Sequence, residues 1–319
     1  EREVFPMSKI AFVFPGQGSQ TVGMCKAFYD EYPIVKQIFE EADDALGYSI
    51  SKMCFEGPAS DLQLTANTQP AILTASTACG AVLKEHGISC AVAAGHSLGE
   101  YSALVNVGAM KFADAVVAVH KRGQFMQEAV PVGEGSMAAV LGLDSDKIVE
   151  ICKAVEAEMG AAVQAVNFNC PGQVVIAGAV DPVNKAIEAL KAAGAKRAVL
   201  LPVSAPFHST LMQPAADRLA EVLAPMEIKD IVIPVVANVT AQEVVSGAEI
   251  KKLLVKQAAS PVLWETSVRN MVANGVDTFV EVGPGKVLTG FTKKIAKGMT
   301  ALNVEDPASL EKTLAALNA

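Results

Sequence analysis

The stretch Cys90-Ala91-Val92-Ala93-Ala94-Gly95-His96-Ser97-Leu98-Gly99-Glu100-Tyr101-Ser102-Ala103-Leu104 decides the fold. A short apolar run rises into Gly95-His96-Ser97-Leu98-Gly99, and from Glu100 onward the composition favours a helix, with apolar positions at helical spacing. The order is strand, sharp turn, helix. In that setting G-x-S-x-G reads as a nucleophile elbow, in which two glycines permit a tight turn that lifts the Ser97 hydroxyl above the sheet edge beside a helix N-terminus. The bare motif also fits a glycine-rich turn carrying a bystander serine. The rest of the chain has to decide between the two.

Upstream, residues 9–14 alternate β-branched and aromatic side chains as a strand does, and they end in Pro15-Gly16-Gln17-Gly18-Ser19-Gln20. A dinucleotide loop of the form G-x-G-x-x-G would need glycine where Thr21 stands, and no G-K-[ST] follows, so that reading is rejected. Such a loop can instead aim backbone N–H groups inward, as an oxyanion hole requires. Helical patterning runs over 24–46. A second helix is expected over 68–85, with Thr68 as cap and Pro70 in the first turn. Residues 111–129 predict another amphipathic helix, which carries His120, Lys121 and Arg122.

Downstream the patterning changes at Pro131-Val132-Gly133-Glu134-Gly135. A strand over 136–143, a helix over 146–159, strands over 163–167 and 173–179, a helix over 182–193 and a strand over 197–203 give the order βαββαβ, the ferredoxin-like pattern. Asn169-Cys170-Pro171-Gly172 suits a hairpin turn between its middle strands. The large unit resumes at Ser204-Ala205-Pro206-Phe207-His208-Ser209. A helix over 213–223, a strand over 231–238, helices over 250–258 and 261–274 and a strand over 278–282 follow, leading to Gly283-Pro284-Gly285-Lys286. The expected class is α/β, a hydrolase-like, mainly parallel sheet flanked by helices with an inserted ferredoxin-like subdomain. Residues 7–131 and 204–319 would form the large unit and 132–203 the small one.

Composition narrows the function classes. The chain has 319 residues, 51% of them hydrophobic and 19% charged, enough for a large core. No uncharged apolar run approaches the ~20 residues needed to span a bilayer. Residues 1–6 precede a plausible start at Met7 and have neither a basic n-region nor an apolar core; they read as an appended segment outside the fold. The expected location is the cytoplasm. Six cysteines, at 25, 54, 79, 90, 152 and 170, form no C-x-x-C pair and have no histidines at ligand spacing, so reduced buried thiols are expected and no metal. A net charge of −8 without a concentrated basic face argues against nucleic acid as a partner.

An unperturbed hydroxyl is a poor nucleophile near neutrality, so Ser97 needs a proton acceptor. The chain has four histidines. His86 stands at a helix end, where a capping role is the simpler reading. His96 lies in the strained turn itself and should point elsewhere, and His120 falls mid-helix as a packing residue. His208 occupies a proline-bounded loop where the large unit resumes, after the serine as hydrolase chain order requires. No Asp lies in a suitable loop between them. The residues therefore favour a Ser97–His208 dyad whose imidazole is oriented by a neutral acceptor.

Phe14-Pro15-Gly16-Gln17-Gly18-Ser19-Gln20, Gly95-His96-Ser97-Leu98-Gly99-Glu100-Tyr101, Lys121-Arg122-Gly123, Pro206-Phe207-His208-Ser209 and Val282-Gly283-Pro284-Gly285 occur in this order. Together they resemble the malonyl-CoA:acyl carrier protein transacylases of type II fatty acid synthesis, over essentially the whole chain from Met7. The resemblance implies a malonyl-serine intermediate on Ser97, His208 as the proton carrier, and the backbone N–H groups of Gln17 and Leu98 as the oxyanion hole. It implies that the main-chain carbonyl of Gln257 orients the imidazole and that Arg122 grips the malonyl carboxylate. Gln69, Asn167 and Asn169 lie in stretches similar to family segments lining the cleft. Phe207 resembles the bulky residue of malonyl-selective members and departs from the serine found there in some bacterial relatives. Malonyl-CoA and acyl carrier protein are the implied partners, with no cofactor, no membrane and a monomeric chain. Lys196, Arg197, Lys286, Lys293 and Lys294 are the residues expected to dock an acidic carrier protein. The rival readings are a serine thioesterase or esterase of hydrolase type, which would turn over malonyl-CoA without a thiol acceptor, and a non-catalytic carrier-docking protein.

Overall fold

Period-two alternation in strand β1 (Ile10–Phe14) sends Phe12 and Phe14 to one face of a sheet and Ala11 and Val13 to the other, and each pair is buried in its own apolar cluster. Both faces are covered by helices, which is why the strand reads as a nearly continuous apolar run. The computed structural model describes residues 7–318; the stretch 1–6 read as an appended segment lies outside the described residues. Beyond β1 the strands are β2 (Val92–Gly95), β3 (Gly135–Leu141), β4 (Val163–Cys170), β5 (Gln173–Ala179), β6 (Arg197–Leu200), β7 (Val235–Val236), β8 (Glu243–Val244), β9 (Thr278–Val282) and β10 (Thr300–Val304).

The large sheet has the order β10-β9-β1-β2-β7-β8, with every pairing parallel except that of the short edge strand β8. The small sheet, β4-β5-β3-β6, is antiparallel throughout, with the helices Ser145–Met159 and Val180–Ala192 on one face. Its other face presents Met137, Val166, Val175 and Ala177 to Met126, Phe207 and Met212. This apolar seam fixes the small sheet above the carboxyl ends of the large one, where open α/β sheets place their sites.

Register determines which loops meet. Phe14 pairs with Gly95, so β1 and β2 end side by side and release the Pro15–Gln20 loop and the Ser97 turn at the same level. Val236 pairs with Ala94, so the chain leaving β7 also emerges there. Ser97 has φ of 54°, a left-handed conformation that a non-glycine residue adopts only at a cost of about 1–3 kcal/mol. The flanking glycines are required by close approach: a Cβ on Gly95 would lie 1.9 Å from the Gly99 carbonyl carbon, and one on Gly99 would lie 2.1 Å from the Phe14 oxygen.

Several elements differ from the sequence reading. The 24–46 segment is two helices, Lys26–Glu31 and Pro33–Leu46, because Pro33 disfavours helical geometry at Tyr32. The helix expected to start at Thr68 begins a turn earlier, Thr65–Glu85, which places Pro70 in its interior rather than its first turn. The hydrogen bond that Pro70 cannot give to Ala66 is replaced: His120 Nδ1 lies 2.7 Å from the Ala66 oxygen. The expected strand over 231–238 contracts to β7, preceded by Pro234, which has no N–H for a ladder. The expected strand over 197–203 ends at Leu200. The helices Val287–Ile295 and Pro307–Leu317 and strand β10 were not read from sequence.

Gly99→Ala tests the crowding at the elbow. The added methyl should lower the urea unfolding midpoint by an amount equivalent to roughly 3 kcal/mol, since Phe14 belongs to a strand buried on both faces. An unchanged midpoint would remove the argument.

Candidate active site

Ser97 Oγ lies 2.7 Å from His208 Nε2, and His208 Nδ1 lies 2.9 Å from the main-chain oxygen of Gln257. A ring nitrogen facing a carbonyl must carry the proton, so Nδ1 donates and Nε2 keeps its lone pair for the serine hydroxyl. Burial pushes the His208 pKa down to about 3, and the Arg122 charge adds to that shift. The imidazole is therefore a neutral acceptor at pH 7. A histidine depressed in the folded state contributes stability that is present above about pH 6.5 and lost as pH falls toward 3, because the unfolded chain takes up the proton first.

Arg122 comes from the helix Phe112–Glu128 and is 1% exposed. Its Nη1 donates to Gln69 Oε1 at 2.8 Å, and its Nη2 donates to Gln257 Oε1 at 3.0 Å and to Ser97 Oγ at 3.2 Å. Its Nε is buried without a partner, and the guanidinium carbon stands 5.5 Å from the Tyr101 ring centre. Among the described residues no carboxylate forms an ion pair with it. Burial pushes its pKa down, opposed by Tyr101 and Glu100, yet a guanidinium stays protonated in proteins. A charge sealed among neutral partners beside a serine hydroxyl can receive an anion.

These groups open onto a cleft of about 530 Å3 lined by Gln17, Gln69, Ser97, Leu98, Arg122, Asn167, Phe207 and His208. The amides of Gln17 and Leu98 donate to no protein acceptor among the described residues, leaving both available to an oxygen in the cleft. Asn167 Oδ1 is likewise buried without a partner. Gln257 sits behind the cleft and reaches it through its hydrogen bonds. Asn169 does not line it: its Oδ1 lies 2.8 Å from the Nε2 of His96, which does line the cleft, and fixes that ring. His86 occupies the helix C-cap, with Nε2 2.9 Å from the Tyr32 hydroxyl.

Sequence reading missed Asn238 and gave Glu100 no role of its own. Asn238 is 1% exposed and contacts the Ser97 turn, while the buried Glu100 carboxyl accepts its backbone N–H at 2.6 Å. Burial raises the Glu100 pKa to about 7, against the lowering effects of the Asn238 N–H and the Arg122 charge. The available signal was positional: a polar residue just past a short apolar strand paired to the one that carries the elbow.

Residues 11–311 match the family model described as the acyl transferase domain. The malonyl CoA-acyl carrier protein transacylase of Bacillus subtilis (strain 168) is 51% identical, over 98% of this chain and 98% of its own. An acyl carrier protein S-malonyltransferase from Vibrio cholerae superposes with a TM-score of 0.94 at 49% identity, covering 96% of this chain and 100% of that one. A malonyl-transacylase solved in complex with its type II PKS acyl-carrier protein gives a TM-score of 0.94 at 47% identity, covering 97% and 100%.

The state of the imidazole can be read directly. In an NMR titration, with the resonance assigned through His208→Gln, the His208 ring should remain neutral down to pH 5. A midpoint between pH 6 and 7, near the ordinary value for histidine, would contradict the buried neutral base.

Proposed function

The chain belongs to the acyl transferase family, and from that premise we infer that it moves the malonyl group of malonyl-CoA to the thiol of acyl carrier protein, supplying extender units for fatty acid synthesis. The observation that carries the substrate assignment is Arg122, a buried cation with neutral partners whose Nη2 is 3.2 Å from the Ser97 hydroxyl. An acyl group held on that hydroxyl and ending in a carboxylate supplies the missing anion, and the planar guanidinium suits a two-pronged contact.

In this reading Ser97 Oγ attacks the thioester carbonyl while His208 Nε2 takes its proton. The tetrahedral oxyanion accepts hydrogen bonds from the Gln17 and Leu98 amides, donors whose individual loss costs about 100- to 1,000-fold in rate in comparable enzymes. Collapse breaks the carbon–sulfur bond. The departing thiolate receives the proton from His208, which leaves a malonyl ester on Ser97. The second half reverses these steps: His208 deprotonates the carrier's phosphopantetheine thiol, which attacks the ester and releases Ser97 Oγ to be reprotonated. The steps ask for no cofactor. Gln69 and Gln257 hold the guanidinium, Asn167 offers an acceptor to the bound arm, Asn169 acts through His96, and Phe207 limits branching at the acyl carbon. Residues 7–131 and 204–319 form the catalytic unit and 132–203 the inserted one that roofs it. Reaction with a soluble carrier suits a cytoplasmic protein, and among the described residues no helix is long and apolar enough to cross a membrane. A thioesterase has no comparable use for Arg122.

Incubation with malonyl-CoA followed by mass spectrometry should find a malonyl adduct on Ser97 that moves to carrier protein when it is added. Arg122→Ala should cut malonyl transfer roughly 100-fold or more relative to acetyl transfer, the scale expected when one member of a buried charge pair is lost. Equal losses for both acyl groups would remove the carboxylate contact. Release of malonate in buffer at the same rate with and without carrier would favour the thioesterase.

Lys196, Arg197, Lys286, Lys293 and Lys294 are exposed on the two units. As docking charges they act mainly on association. Reversing Lys286 and Lys293 to glutamate should lower kcat/KM for the carrier protein and flatten its salt dependence, with the first half-reaction untouched. Unchanged carrier kinetics would remove these residues from the interface.

A further inference from the structure

The nucleophile's own backbone is held by a residue outside the reacting set. Asn238, on the segment leaving β7, uses all four of its polar atoms. Its Oδ1 accepts the Ser97 N–H at 2.8 Å and the Gln257 Nε2–H at 3.2 Å, and its Nδ2 donates to the Gly95 oxygen at 2.6 Å. Its own N–H is fixed by Glu100 Oε1 at 2.6 Å, and its carbonyl accepts the Leu263 N–H at 3.1 Å. Gln257 Nε2 also donates to the Ser97 carbonyl at 2.8 Å. The carboxamide thus clamps the left-handed turn from the residue before the elbow to the nucleophile itself, and it reaches the same Gln257 whose main chain orients His208.

We propose that Asn238, braced by Glu100, is a positioning residue for acylation: it locks the Ser97 turn and ties the serine to the support of its base. The inference rests on Ser97 being the acylated residue. It also explains which amides are left for the oxyanion. The Ser97 N–H is committed to Asn238, whereas the neighbouring Leu98 N–H is free to face the cleft together with that of Gln17. Neither Asn238 nor Glu100 bonds the guanidinium, which the clamp reaches only through Gln257, so loss of Asn238 should act chiefly on the rate of attack and leave substrate recognition in place.

The test measures the rate of malonyl-Ser97 formation by rapid quench and mass spectrometry, with KM for malonyl-CoA and the unfolding midpoint alongside. Asn238→Ala should slow acylation roughly 10- to 100-fold, the scale of a misplaced reacting group, while KM stays within about threefold of the parent. Val236→Ala, a core truncation two residues away, should lower the midpoint and keep the parent's acylation rate. Glu100→Gln retains an acceptor for the Asn238 N–H and should stay within about threefold of the parent, whereas Glu100→Ala should follow Asn238→Ala. Acylation by Asn238→Ala within about twofold of the parent, or an equal loss in Val236→Ala, overturns the inference. If Asn238→Ala does not fold, the Glu100 pair decides: rescue by Gln supports the brace, and equal loss in both variants overturns it. A parent that forms no adduct overturns the transfer reading and this inference with it, whereas a parent that acylates beside an equally fast Asn238→Ala overturns this inference alone.

Discussion

A guanidinium shut away from water is costly, because the desolvation penalty of a buried ion amounts to several kcal/mol even after relaxation. Arg122 meets that cost with neutral groups: the carboxamide oxygens of Gln69 and Gln257, the Ser97 hydroxyl and the Tyr101 ring. Each of these lowers the energy of the cation without cancelling its charge. Glu100 is close enough to favour the charged guanidinium, yet burial raises its own pKa to about 7, so it is a weak counter-ion near neutrality. Among the described residues no carboxylate pairs with the guanidinium, so the pocket has room for an added anion. In the proposed function a substrate that brings a carboxylate pairs with the guanidinium, and one that brings a methyl group leaves it as costly as before.

The same cation acts on the chemistry. Its Nη2 donates to Ser97 Oγ and so would favour negative charge on that oxygen in the proposed attack, while its field helps to hold His208 neutral. Both effects depend on the serine standing where three strand ends converge. That position follows from register, since Phe14 opposite Gly95 and Ala94 opposite Val236 bring the Pro15–Gln20 loop, the Ser97 turn and Asn238 to one level. The strain at Ser97 is tolerated because the surroundings over-determine it. Gly95 and Gly99 leave no room for other side chains, and Asn238 and Gln257 occupy the turn's backbone polar groups.

Much of this was legible in the chain because the signals were local. The strand, turn and helix around Ser97, the alternation of 10–14 and the βαββαβ order of the inserted segment are each written within a few dozen residues. His208 was separable from the other histidines by its loop and its place after the serine. What escaped depends on partners distant in sequence. Pro70 reads as a helix start until His120, 54 positions beyond Ala66, is seen to supply the hydrogen bond that the proline cannot. Asn238 reads as the end of a strand until the fold brings it to Ser97, 141 positions away. Asn169 shares the segment of the cleft residue Asn167 and would share its face in a regular strand, but the register shifts between Phe168 and Cys170, and its side chain serves His96 instead.

The neutral support of His208 follows from the same charge logic. In a Ser-His-Asp arrangement a buried carboxylate stabilises the imidazolium that forms during attack. Here such a carboxylate would take the place of the Gln257 main-chain oxygen, on a residue whose side-chain oxygen is 3.0 Å from Arg122 Nη2. The guanidinium would pair with it, and the anion-deficient pocket that distinguishes a carboxylated acyl group would be filled from within. A main-chain carbonyl fixes the tautomer equally well and carries no net charge to compete. The cost is weaker stabilisation of the imidazolium, which Arg122 makes worse. In the proposed reaction that cost is offset by a short residence of the proton, which passes from Ser97 to Nε2 and on to the departing thiolate. In the proposed function, selectivity for a charged acyl group and a neutral support for the imidazole are thus two results of one constraint, that a single unpaired cation shares a buried pocket with the base.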